Sequence, residues 1–339
     1  MTLEWTHLSD EKLLELRFCD VEGLKIEGSE LEPRIQKLFS ECEMKDLDFR
    51  PDFYISDEWF SPEDTVLVAI PFYLFHPRLK QLEHNMMLEV EGGSDEECMK
   101  FLRHETGHSF SHAYQIQRKR KYQKLFGLSS TEYEPESYTP KPYSKNFVQH
   151  LDNYYAQSHP DEDWAETFAV WLTPGLDWRK KYQSWPKTLE KILFVEEVMQ
   201  EVAHKKPKIT DKVYVDNYIK LKLKLKTHYR RKKELYEWDF PSSYDQELER
   251  LFSKDSAPSK VKAEVFLRKH SKELRDVVAT WTREKKFTIS KVIQNLKERS
   301  GELNLYVNKN EEQAKMEVIS CVTNFVTNYK FTGKFKPRI

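Results

Sequence analysis

Residues 94–114 read SDEECMKFLRHETGHSFSHAY, and the rest of the chain can be interpreted outward from this stretch. Ser94 followed by Glu97 is a capping-box pattern that opens a helix over about residues 95–118. On a helical wheel Met99, Leu102, Thr106, Phe110 and Ala113 form a stripe suited to a core. His104, Glu105, His108 and His112 form another face. Two imidazoles four residues apart project from the same side and can hold one metal ion, with Glu105 beside it to take a proton. The bland alternative is a pair of solvent-facing histidines on an amphipathic helix, so a third ligand has to come from elsewhere.

An extension of the motif within the same helix would need Gly at 111 and His at 114. These positions hold Ser111 and Tyr114, which excludes the metzincin arrangement. A later helix, opened by Pro160, Asp161 and Glu162 and closed near Thr173-Pro174-Gly175, supplies carboxylates instead. Glu162 and Glu166 are four apart and share a face, while Trp164, Phe168 and Trp171 turn the other way for packing. One acid can bind the metal and the other can accept the N–H of a ligating histidine, fixing its tautomer. An acidic first turn that satisfies the helix dipole is the plainer reading of the same residues. His112 reads as a hydrogen-bonded or surface histidine near the cleft, and His159 as a helix-start residue.

The paired acids after His104–His108 resemble the gluzincin arrangement, which implies Glu162 as ligand and Glu166 behind it. The segment Tyr155–Phe168 is similar to the corresponding region of anthrax lethal factor-type peptidases, where a tyrosine precedes the ligand glutamate by seven residues. That resemblance implies Tyr155, with Tyr154 as its neighbouring rival, as donor to a developing oxyanion. More broadly, residues 15–200 resemble the bacterial "putative zinc-binding metallopeptidase" family. The segments SDEWFSPED, AIPFYLFHPRL, MMLEVEGG, RHETGH and YAQSHPDEDWAETFAVWLTP carry the likeness. It implies Zn2+ on His104, His108 and Glu162, with Glu105 as catalytic base, and a peptide or protein substrate. By analogy with gluzincin-like folds, the strand Val66–Ile70 would offer its edge to an extended substrate.

Around this centre the sequence organises simply. The run Val66-Leu67-Val68-Ala69-Ile70, closed by Pro71, reads as a strand. Residues 78–90 space Leu79, Leu82, Met86, Met87 and Val90 for a helix ended by Gly92-Gly93. Residues 127–150 are rich in Pro, Ser and Tyr and read as a long loop. The segment HKKPKITDK, residues 204–212, is a linker candidate. Beyond it, Tyr214, Tyr218, Leu221, Leu225 and His228 keep helical spacing despite the alternation LKLKLK. Further helices are marked by Leu267 to Trp281, Thr288 to Ser300 and Val318 to Tyr329. The expected architecture is α+β: a zincin-like domain with a small sheet over residues 1–205, then an α-helical domain over 206–339.

The 339 residues carry 55 Lys+Arg against 56 Asp+Glu, so no general charge draws the chain to nucleic acid or anionic lipid. The basic runs Arg118–Lys121 and His228–Lys233 read as solvated helix faces, and no nucleic-acid partner is expected. No apolar run is long enough to span a membrane, and no signal-peptide pattern opens the chain. With four cysteines lacking CxxC spacing, a cytoplasmic, thiol-reduced protein is expected. Two other readings keep the zinc: a zinc-stabilised binding protein without catalysis, and a zinc hydrolase of a non-peptide amide.

Overall fold

A computed structural model describes residues 3–132, 138–237, 244–256 and 260–332. The chain is mostly helical with one two-stranded parallel sheet, an α+β composition. It divides into two compact units: residues 1–86 with 90–228, and residues 87–89 with 229–339.

In the first unit the helices are α1 (Asp10–Leu14), α2 (Leu31–Glu43), α3 (Pro77–Met87), α4 (Asp95–Tyr114), α5 (Arg120–Leu125), α6 (Pro160–Leu172), α7 (Trp178–Lys181) and α8 (Pro186–Val202). Helix α9 (Leu225–Tyr236) carries the boundary between the units. Strand β1 (Asp52–Ser56) pairs in parallel with β2 (Leu67–Pro71), Asp52 opposite Leu67 and Ser56 opposite Pro71. All of β2 is buried, as its unbroken apolar sequence requires.

The strand expected to receive substrate has no free edge. Val66, Val68 and Ile70 face β1, and the opposite side is taken by the chain between the strands. There Ala69 N–H donates to Phe60 O at 2.8 Å and Ser61 Oγ donates to Leu67 O at 2.8 Å. The connection between β1 and β2 folds back on the sheet it joins and closes that edge.

Helix α3 stops at Met87, short of the two glycines, because Leu88 adopts a left-handed backbone (φ 67°) that ends the helix. The expected helix through residues 214–224 does not form. Its alternating pattern wins: Phe18 N–H donates to Leu223 O (3.1 Å) and Cys19 N–H to Leu221 O (3.2 Å), so the Leu-Lys repeat runs beside residues 17–19 as extended chain. The 204–212 segment is also tied to the first unit, through Lys208 N–H and Ile209 N–H on Ala113 O. Of the long loop, residues 133–137 lie outside the described residues, and 138–150 form neither helix nor strand.

The second unit comprises the rest of α9 with α10 (Asp245–Leu251), α11 (Ala263–Thr282), α12 (Lys286–Glu302) and α13 (Glu311–Thr332). Its core is built from Leu267, Leu274, Val278, Val292, Leu296 and Val322, each contributing roughly 1.5–3 kcal/mol on burial. Trp281, expected in that stripe, is 79 % exposed. Cys42 and Cys98 are buried thiols, Cys19 and Cys321 are half-buried, and all four are free. Among the described residues no helix is long and apolar enough to cross a membrane.

Candidate metal centre

Two helices build the site. Ser94 Oγ accepts from Glu97 N–H at 3.2 Å and caps α4 as its sequence anticipates. His159 caps α6: its Nδ1 accepts from Asp161 N–H at 3.2 Å, with Pro160 in the first turn behind it. Both helices are buried over most of their length, so they must pack closely. Gly107 is the reason they can. A Cβ there would lie 3.0 Å from Ala165 Cα and 3.1 Å from Phe168 Cβ. The Trp164 indole reaches across the same crossing to donate to Gly107 O at 2.8 Å. A glycine inside a long buried helix is itself a sequence signal of close approach.

This crossing brings the first turn of α6 to the middle of α4. His104 Nε2 lies 2.9 Å from Glu162 Oε2 and 3.2 Å from His108 Nε2, and His108 Nε2 lies 3.2 Å from the same Glu162 oxygen. Behind them, His104 Nδ1 lies 2.8 Å from Glu166 Oε1. Glu166 Oε2 in turn accepts from Leu151 N–H at 2.9 Å. Both acids on the shared face of α6 thus touch the histidines, on opposite nitrogens of His104.

That pattern tests whether a metal fits. A neutral imidazole carries one N–H. If His104 donates from Nδ1 to Glu166, its Nε2 lone pair faces a carboxylate oxygen and another imidazole nitrogen. Three lone pairs meeting at one buried point repel unless a positive charge sits among them. The donors of His104, His108 and Glu162 all lie within 4.8 Å of one another and could hold a metal ion. Two imidazoles and one carboxylate are a donor set that suits zinc.

The electrostatics express the same demand. Burial works against the charged form of His104, yet the hydrogen bonds and charges of Glu162 and Glu166 hold its pKa well above the ordinary histidine value. For Glu162, burial opposes ionisation, but the His108 charge and the histidine hydrogen bonds hold the carboxyl far below the carboxylate range. Glu105 is buried beside them, and burial raises its pKa against the pull of the two histidines. Its Oε2 is buried and accepts no hydrogen bond among the described residues.

Tyr155 places its ring 5.7 Å from that of His104. The preceding Asn153 and Tyr154 both take left-handed backbone (φ 61° and 57°). Burial lowers the pKa of His112 to about 4, so this ring is neutral; it lies 6.4 Å from His108.

The sequence reading also missed a buried support. Lys191 of α8 pairs with Asp163, the neighbour of Glu162, and donates to Asn146 O at 2.8 Å. Burial pushes the Asp163 carboxyl up to about 7 in spite of Lys191. No single residue type announces such a pair, because its partners stand 28 positions apart. On the basic run that enters α5, Lys119 and Lys121 pair with Glu201 and Glu197.

No curated protein and no solved structure was found to match the chain. Residues 97–231, the stretch that contains His104, His108 and Glu162, match the model of the family described as "Putative zinc-binding metallo-peptidase".

Proposed function

We propose that this chain is a zinc-dependent, gluzincin-type peptidase, with a zincin-like catalytic domain in its N-terminal part and an α-helical domain after it. The observation that carries the reading is the convergence of His104, His108 and Glu162 on one buried point with Glu105 alongside. His104, His108 and Glu162 would hold the zinc, while Glu166 accepts the His104 Nδ1–H and would keep that ring in the ligating tautomer. Zinc, when bound, lowers the pKa of water and polarises a carbonyl as a Lewis acid.

The chain's own groups supply the proton transfers. Glu105 takes the proton of the attacking water and passes it to the departing amine as the C–N bond breaks. Tyr155 donates its phenolic hydrogen to the carbonyl oxygen as negative charge gathers there. Burial of the site keeps competing water away from both transfers.

The test combines metal analysis with digestion of a mixed-sequence peptide library. Freshly purified protein should contain about one zinc per chain and cleave the library. The Glu105→Gln variant should retain the zinc and lose about 10²–10⁴-fold in rate. Tyr155→Phe should lose about 10²-fold in kcat with KM little changed. Absence of zinc, or full activity in Glu105→Gln, defeats the reading.

A further inference from the structure

An open groove in the first unit is lined by Phe60, Pro62, Glu63, Asp64, Asp211 and Val213, among others, and encloses about 620 Å³. Its walls are pinned to the sheet rather than left as free loops. Phe60 O accepts from Ala69 N–H at 2.8 Å, Pro62 O from Thr65 Oγ1 at 2.8 Å, and Asp211 O from Val66 N–H at 3.3 Å. On the 213–215 wall, Val215 O accepts from the Tyr54 hydroxyl at 2.8 Å. The groove is therefore preformed.

Its chemistry has two parts. Val213 and Val215 are 61 % and 42 % exposed and, with Phe60 and Pro62, give the groove an apolar wall. Around them Glu63, Asp64 and Asp211 present three exposed carboxylates, and among the described residues no ion pair neutralises them. The adjacent cation, Lys212, is engaged with Asp52 at 2.6 Å. Apolar walls rimmed by one sign of charge complement a chain carrying aliphatic and basic side chains.

One wall of the groove touches the helix that carries His104 and His108. The backbone of Pro62, on its wall, is hydrogen-bonded to His112, and Asp64 acts on the same ring through its charge. His112 stands one helical turn beyond His108 on the same face of α4. The Pro62 wall of the groove therefore stands against α4 one helical turn from His108.

We propose that this groove is an extended-substrate site which takes an extended segment rich in Lys or Arg and aliphatic residues, several positions from the scissile bond. The substrates are then basic, apolar-interleaved polypeptides rather than acidic ones. This rests on the peptidase reading of the metal centre, but the groove can be tested apart from it.

The direct probe is a capped, fluorescein-labelled peptide of alternating Lys and Val, titrated by anisotropy into the full-length, zinc-loaded protein. Binding should weaken about 10-fold or more between roughly 50 and 500 mM salt. The exposed triple substitution Glu63→Gln, Asp64→Asn, Asp211→Asn should weaken it about 10-fold or more while leaving the thermal transition unchanged. Asn at 64 keeps a side chain that tolerates the left-handed backbone there (φ 51°). A Glu–Val peptide should not bind. Absence of Lys–Val binding, or binding equal in the triple variant, overturns the groove assignment whether or not the protein cleaves peptides. Binding without library cleavage would defeat the peptidase reading and leave the groove as a docking site. Where cleavage occurs, wild-type products should be enriched in basic residues on one side of the cut, and the triple variant should lose that enrichment.

Discussion

The centre depends on how a few residues divide the two nitrogens of one ring. His104 meets Glu166 at Nδ1 and Glu162 at Nε2, so removing either acid changes what the ring can do. Glu166→Gln keeps the shape but can present an amide N–H to Nδ1 or lose the bond from Leu151 N–H. Zinc affinity in this variant should fall about 10–100-fold, read by competition with a chromophoric chelator. Unchanged affinity would remove Glu166 from its proposed role. The types and spacings of His104, Glu105, His108, Glu162 and Glu166 could all be read in the sequence, since each pair obeys helical periodicity. Residue types and periodicity leave open which acid faces which nitrogen; only the gluzincin resemblance implies Glu162 as ligand with Glu166 behind it. The pairing depends on the crossing of two helices whose relevant residues are 62 positions apart.

At the scale of elements, the decisive contact is the α4–α6 crossing at Gly107. Replacing a helical glycine by alanine ordinarily stabilises a helix by about 1 kcal/mol. Here the new methyl would meet Ala165 Cα at 3.0 Å, a backbone atom that cannot rotate away. Gly107→Ala should therefore destabilise the protein, by about 1–3 kcal/mol, measured as a lower urea midpoint at unchanged m-value. Because the displaced element carries Glu162, zinc affinity should fall in parallel. A stabilised Gly107→Ala protein would mean that the helices cross elsewhere. The caps of these two helices and most of their extent were legible beforehand, since Ser94, His159 and Pro160 act locally. The 214–224 segment was not, because helical and alternating patterns coexist there. Pairing with residues 17–19 selected between them.

For the whole molecule, the division into two compact units means that metal binding should stabilise one of them. With chelator present, the lone pairs of His104, His108 and Glu162 must be relieved by protons alone. The unit comprising residues 1–86 and 90–228 should then lose protection, by roughly 2–4 kcal/mol at zinc levels of 100–1,000 times the dissociation constant. Hydrogen exchange read by mass spectrometry checks this. Peptides from α4 and α6 should exchange faster after chelation, and those from α11 and α12 should not. Uniform loss of protection along the chain would show that the units do not respond separately.

The sequence by itself determined the local facts: two histidines and a glutamate on one helical turn, two acids on another, and a buried apolar strand. These follow from side-chain type and from the 3.6- and 2-residue periods of the backbone. Tertiary structure alone decided that the edge of β2 is closed by Phe60 and Ser61, that a buried Lys191–Asp163 pair backs α6, and that three carboxylates gather on the groove beside Val213 and Val215. Each of these joins residues whose separation follows no helical or strand period. The meeting of such residues is set by close packing and by the pairing of buried polar groups, so neither short-range pattern can encode it.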